Sequence, residues 1–288
     1  MKTLCLSGMV FGFAVLAASP ALAIVDSGLA NGLDGYWTFN QTSGGMLVDS
    51  SGNGFSGNLV GYANGQGNWT SGLFGSALEF GGPGTGQYVS VPNFTFPTTS
   101  MTLTAWVWAN STPAWATIAA NWNGAWGAFN FATFGQTPNM SLYVADKEYN
   151  PGDINIDYGV SGTSLSTGQW HFVAFVANAQ DDTVTFMQDG NVTGSFRYLG
   201  QTLAASSTLN IGDDPSDTSA GQGNWDGKID DLAIWNRALS SQELTTIYDG
   251  GLEGESLLNV IPEPSVLTLA MVGAGGLLVR WRKRVKRG

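Results

Sequence analysis

Residues 101–109 read "MTLTAWVWA". In an extended chain, alternation sends Met101, Leu103, Ala105 and Val107 to one face and Trp106 and Trp108 to the other. Large apolar groups on both sides predict a strand covered on both faces. Comparable short runs follow the same pattern: "QYVSVP" (87–92), "HFVAFVA" (171–177) and "TVTFMQDGNVTGSF" (183–196). In the last run, Asp189-Gly190 offers the backbone freedom that a tight hairpin turn needs. Between residues 26 and 250 glycines are frequent and helical periodicity is almost absent, which predicts an all-β sandwich. One helix is expected near 240–249. There Ser240 and Glu243 have capping-box spacing, and Leu244, Ile247 and Tyr248 form an apolar face.

The two ends of the chain differ from this body. Residues 1–23 carry Lys2, the apolar stretch Val10 to Ala17 and the small-residue exit Ala21-Leu22-Ala23, the pattern of a secretory signal cut by signal peptidase. The single cysteine, Cys5, lies inside that segment. The exported chain would therefore have no disulfide, thiolate nucleophile or cysteine metal site. About 240 residues are enough for one large β domain to be stabilised by its core alone. No internal repeat and no second domain boundary interrupt 24–250, and 251–261 reads as a short acidic linker.

Of the 11 lysines and arginines, Lys2 is in the signal segment and six cluster at 280–287, leaving four against all 22 aspartates and glutamates in residues 24–264. So acidic a body repels phosphate backbones, which speaks against DNA or RNA as a partner. The basic cluster closes a C-terminal segment made of Pro262-Glu263-Pro264, an apolar run over 265–279 and the tail 280–288. The run is short for a bilayer span, and the arginine stems extend it; basic residues after it hold that end in the cytoplasm.

Several stretches, in order, resemble one family: "LDGYWTFNQTSG", "VDSSGNGFSGNL", "FGSALEFGG", "QYVSVP", "TLTAWVWA", "GQWHFVAFVA", "MQDG", "LNIGDD" and "DGKIDDLAIWNRALSSQEL". Together they look like the laminin G-like domain of the concanavalin A-like lectin/glucanase superfamily, over about residues 33–249. The resemblance implies a jelly-roll sandwich of two antiparallel sheets. It also implies a structural calcium ion where the "DSSGNG" loop meets the "IDD" strand, with Asp49, Asn53 and Asp230 as ligands. Spacing alone favours a self-bonded turn at Asp49 and Asn53 and a solvated Asp230; the family match is what turns the reading towards calcium.

The C-terminal segment resembles a second signature, the PEP-CTERM sorting signal. It implies a bacterial chain held briefly in the inner membrane through 265–279. An exosortase then cuts near Pro262, Glu263 and Pro264 and passes the protein to the cell surface or extracellular matrix. A permanent single-pass anchor is the plainer alternative.

Chemistry is sparse. No E-x-D-x-x-E strand of the glucanase type occurs, and the acidic stretch with Asp146, Glu148, Asp153 and Asp157 is broken by Asn-Pro-Gly, as a loop would be. His171 is the sole histidine, so a two-histidine metal centre is excluded. A Ser-His-Asp triad would need this same strand residue, and there is no G-x-S-x-G elbow. Aromatic residues remain as a lead. Trp122 and Trp126, flanked by Asn121 and Asn123 in an expected hairpin loop, suit either packing or sugar binding, since indoles stack on sugar C–H faces and amides bind hydroxyls. The expectation is an exported, non-enzymatic, calcium-stabilised module that binds a polysaccharide or surface glycan. A hydrolase or lyase on the same fold and a purely structural matrix protein are the alternatives.

Overall fold

The structure, a computed structural model, describes residues 28–261 apart from 98, 124–127, 136, 146–155, 198–202, 204–205 and 216–222. The expected strands form. In chain order they are β1 (Leu33–Trp37), β2 (Met46–Leu47), β3 (Gly57–Val60), β4 (Trp69–Ser71), β5 (Ser76–Gly81), β6 (Tyr88–Pro92), β7 (Met101–Ala109) and β8 (Thr117–Ala120). They continue with β9 (Phe129–Thr133), β10 (Asn139–Ala145), β11 (Ile156–Ser164), β12 (Trp170–Asn178), β13 (Thr183–Gln188), β14 (Asn191–Arg197), β15 (Thr208–Ile211) and β16 (Asp226–Trp235). Sheet A has the order β14-β13-β12-β7-β16-β5-β4, with β1 also paired to β16. Sheet B has the order β11-β10-β9-β8-β15-β6-β3-β2. The pairings are antiparallel.

The faces of β7 are divided as its alternation requires. Met101, Leu103, Ala105 and Val107 join the core between the sheets, where Phe175 of sheet A meets Phe131 of sheet B with ring centroids 5.1 Å apart. Trp106 points the other way, into a second apolar layer on the outer face of sheet A. That layer is supplied from both ends of the described chain: Leu29 before β1, Leu244 and Ile247 from helix α1 (Ser241–Leu252), and Leu257 from helix α2 (Leu257–Val260). Ser240 caps α1 in a complete capping box with Glu243, as expected, and Arg237 grips Glu243 at 2.6 Å. The expected linker 251–261 is therefore a correction: it packs onto the body, because Gly251 lies against the Trp106 ring and Leu257 is buried. The Asp189-Gly190 turn also forms as expected, with φ of 49° and 77°.

Two buried carboxylates pin this outer layer to sheet A. The register between β16 and β7 shifts after Asp230, and Asp231 takes a left-handed φ of 50°. Such a bulge re-aims two successive side chains. Asp230, fully buried, accepts the backbone N–H groups of Leu73 (2.8 Å) and Phe74 (3.0 Å) through Oδ2, while its Oδ1 has no hydrogen-bond partner. Asp231 accepts the Tyr36 hydroxyl on Oδ1 and the Leu257 N–H at 2.8 Å on Oδ2. Burial, with Asp231 adding repulsion, pushes the Asp230 carboxyl up to about 8; burial pushes Asp231 up to about 6, against the pull of Tyr36.

The fold favours the protonated acid at Asp230, so its stabilising contribution is complete below the unfolded value near 4 and is lost as pH rises towards 8. Thermal melts from pH 5 to pH 9 should show stability falling by a few kcal/mol across this window, and Asp230→Asn should flatten the slope. A wild-type slope retained in the variant would remove Asp230 as its source. Gly227 has φ of 144°, and a Cβ there would lie 1.9 Å from the Trp108 carbonyl oxygen. Gly227→Ala should cost about 2 kcal/mol or more in chemical denaturation, because both conformation and space are violated.

Candidate functional site

Sheet B presents its outer face differently. The two described helices pack on sheet A, and neither contributes to an apolar layer over sheet B. Its strands alternate core and outward residues, so directly paired positions across the sheet share a face. One such row runs Asn58, Ser90, Asn210, Ala120, Asn130, Tyr143, from β3 through β6, β15, β8 and β9 to β10. Five of the six side chains carry a polar group. Asn58 is exposed, Ser90, Asn130 and Tyr143 are half-buried, and Asn210 is buried. Thr117, beside the row on β8, donates to Asn130 Oδ1 at 3.1 Å, and Asn130 Nδ2 donates to Asp214 Oδ2 at 3.1 Å.

At the β10 end the row meets an aromatic platform. Trp115 lies edge-on to Tyr143 (centroids 5.2 Å) and to Phe134 (5.7 Å), while Phe134 and Tyr143 stack at 6.4 Å and 10°. All three rings are half-buried. Trp115 holds a left-handed φ of 61°, a strained state for a large side chain that persists only when its surroundings fix it. Rings with an accessible face beside amide and carboxylate groups offer stacking for sugar C–H surfaces and partners for hydroxyls.

The residues expected to bind ligand have other places. Asn121 is buried and held by the fold: its Oδ1 accepts the Phe129 N–H at 2.7 Å, and its Nδ2 donates to the Leu203 carbonyl at 2.7 Å. That corrects its expected binding role, since both ends of the amide are already paired. Trp122 is half-buried and Asn123 exposed beside it. Trp126 lies outside the described residues, as do Asp146, Glu148, Asp153 and the Pro262-Glu263-Pro264 motif.

The expected calcium ligands do not converge. Asp49 Oδ1 accepts the N–H groups of Tyr36 and Ser51, and Oδ2 accepts the Ser51 hydroxyl and the Phe55 N–H, all within 3.2 Å. Four donors fill a carboxylate. Asn53 Nδ2 donates to the Leu33 and Asp34 carbonyls, so the loop is a self-bonded turn docked on β1. Asp230 bonds the separate 73–74 loop. No group of three or more His, Cys, Asp or Glu among the described residues is placed to hold a metal ion. The donor set as arranged does not fit a calcium cage.

The polar row was not visible in sequence, where Asn58, Ser90, Asn130, Asn210 and Tyr143 look like ordinary outward positions of alternating strands. Only register aligns them.

Comparison with solved structures gives the same architecture. Domain 4 of AbnA, a GH43 extracellular arabinanase from Geobacillus stearothermophilus in complex with arabinotriose, superposes with a TM-score of 0.60 at 18% identity, covering 75% of this chain and 98% of that domain. The binding domain of Paraclostridial Mosquitocidal Protein 1 gives 0.59 at 13%, covering 77% and 53%. The binding domain of botulinum neurotoxin DC in complex with SialylT gives 0.55 at 12%, covering 77% and 52%. The chain thus spans about half of the toxin binding domains and nearly all of the arabinanase domain. At these identities the likeness is one of fold. No curated protein matches the chain. The laminin G type 3 family model matches residues 83–245, more than half of the sequence, and the chain belongs to the concanavalin A-like lectin/glucanases superfamily.

Proposed function

We propose that the protein is an exported carbohydrate-binding module that takes a polysaccharide or surface glycan along the outer face of sheet B without cleaving its glycosidic bonds. The observation that carries this reading is the cross-strand polar row ending on the Trp115, Phe134 and Tyr143 platform. Aromatic faces beside fixed amides are what a neutral, hydroxyl-rich ligand needs. The arabinotriose complex of the similarly folded arabinanase domain supports the choice of ligand class. Calcium has no part in this reading, since three N–H groups and the Ser51 hydroxyl already occupy Asp49.

Export and sorting belong to the same proposal. The signal 1–23 would be removed by signal peptidase, the 24–250 domain would fold outside, and 262–288 would serve an exosortase after a pause in the inner membrane. Among the described residues no helix is long and apolar enough to cross a membrane, and 265–279 lies outside them. Leu29 and Ile261, near the two described ends, both pack in the layer on sheet A. An anchor beginning after Ile261 would hold the body by its covered face and leave sheet B turned outward.

The test is retention of the purified full chain on a panel of neutral and acidic polysaccharides, with calcium and with chelator, while released sugar is assayed. Retention should be the same in both buffers, without released sugar. Trp115→Ala and Tyr143→Ala should each weaken binding by about tenfold, or ~1.4 kcal/mol. Folded variants that bind like the wild type would sink the assignment of this face. Sugar release would replace it with a hydrolase or lyase.

A further inference from the structure

His171 is the second residue of β12, on the side that faces the core but at the rim of the sandwich, where Val107 is its partner on β7. The residue is only 4% exposed, yet both ring nitrogens are bonded to polar side chains. Nδ1 lies 2.6 Å from Asp189 Oδ2, and Nε2 lies 2.7 Å from Ser166 Oγ. The other oxygen of Asp189 accepts the Phe172 N–H at 2.9 Å, which fixes the carboxylate against the ring. Because a carboxylate can only accept, Nδ1 carries a proton towards Asp189, and in the neutral imidazole Nε2 is then the acceptor that faces the serine. Ser166 is exposed on the loop between β11 and β12. Gln169 places Nε2 2.8 Å from Ser166 Oγ and 3.2 Å from His171 Nε2, an N–H donor beside the nucleophile.

This is the serine, imidazole, carboxylate order of an activated hydroxyl, recognised by geometry and not by sequence spacing. A purely structural pin between β12 and the Asp189-Gly190 turn needs only the Asp189 contacts; it does not need an exposed serine on the free imidazole nitrogen. We propose that Ser166, His171, Gln169 and Asp189 form an ester-hydrolysing site, independent of the glycan face. Its substrates are carboxylic esters with a small acyl group, such as an O-acetyl group on an accessible alcohol.

Ser166 Oγ attacks the ester carbonyl carbon as its proton passes to His171 Nε2. The carbon–oxygen bond to the alcohol then breaks, and the alcohol leaves with that proton. Water attacks the acyl-serine, giving its proton to Nε2. The acyl–Oγ bond breaks, releasing the carboxylic acid and returning the proton to Ser166. The sum is ester plus water to acid plus alcohol, with no change of oxidation state. Gln169 Nε2 donates to the oxyanion, and Asp189 is a positioning residue that keeps the tautomer and stabilises the imidazolium.

The test uses the purified full chain with a fluorophosphonate probe and with p-nitrophenyl acetate. The probe should map to Ser166 by peptide mass. Ser166→Ala, on an exposed loop and checked for folding by its melt, should lose the label and lower kcat by about 10³-fold or more. Asp189→Asn keeps an acceptor for Phe172 N–H but turns an N–H towards Nδ1, which forces the wrong tautomer. It should lower kcat by at least about 10²-fold with KM retained, a split that loss of a structural pin does not produce. A folded wild-type chain that takes up no probe and hydrolyses no ester overturns the proposal. So does a label on another serine, or turnover that survives Ser166→Ala.

Discussion

Two adjacent carboxylates buried under an apolar layer set the architecture. At Asp230 and Asp231 strand β16 gives up one step of register with β7, and the bulge turns both acids towards the segments that cover sheet A. Each acid receives main-chain N–H groups that would otherwise be stranded beneath the layer: Leu73 and Phe74 at Asp230, Leu257 at Asp231. An unpaired buried N–H is expensive, so these bonds specify where the loop and α2 must sit. The energetic burden falls on the acids themselves, which is why burial pushes both towards their protonated forms. They act as specificity devices, and their contribution to stability is conditional on pH.

The cover makes the two sheets unequal. With Trp106, Phe172 and Trp235 enclosed by α1, α2 and the segment before β1, the outer face of sheet A is a second core. Among the described residues sheet B has no equivalent, and its outward positions are correspondingly polar along the central row. An uncovered face of an antiparallel sheet usually needs nothing more than solubility. The strained Trp115 backbone and a three-ring cluster are more than solubility requires, and they sit where the row ends.

Legibility in the sequence followed the range of the interaction. The β7 alternation, the Asp189-Gly190 turn and the Ser240 capping box are local rules, and each produced the expected element. The outer row required the register of six strands whose residues lie up to 152 positions apart, from Asn58 to Asn210, and no local pattern encodes that. Asn121 shows the opposite failure. Its neighbours in the chain look like a binding loop, while its amide is spent closing the β8–β9 connection and holding Leu203. At Asp49 the spacing supported a self-bonded turn and the family resemblance pointed to an ion; the bonds to Tyr36, Ser51 and Phe55 agree with the spacing.

The Ser166, His171 and Asp189 constellation extends the same lesson to chemistry. A nucleophile elbow is a local motif, and its absence from the sequence is real; yet a serine, an imidazole and a carboxylate are brought within hydrogen-bond distance by other means. Ser166 and His171 are five residues apart because a short loop folds back on the start of β12, and Asp189 arrives from the end of the neighbouring strand β13, where its N–H donates to the Phe172 carbonyl. The hairpin turn that makes Asp189 available is itself readable, since Asp189-Gly190 is a left-handed pair. What could not be read is that β12 and β13 pair in the one register that brings Val173 opposite Gln188, and with it Asp189 beside His171. A shift of one residue would leave the imidazole without its carboxylate. The register of a hairpin in sheet A therefore decides whether this rim can activate a serine at all.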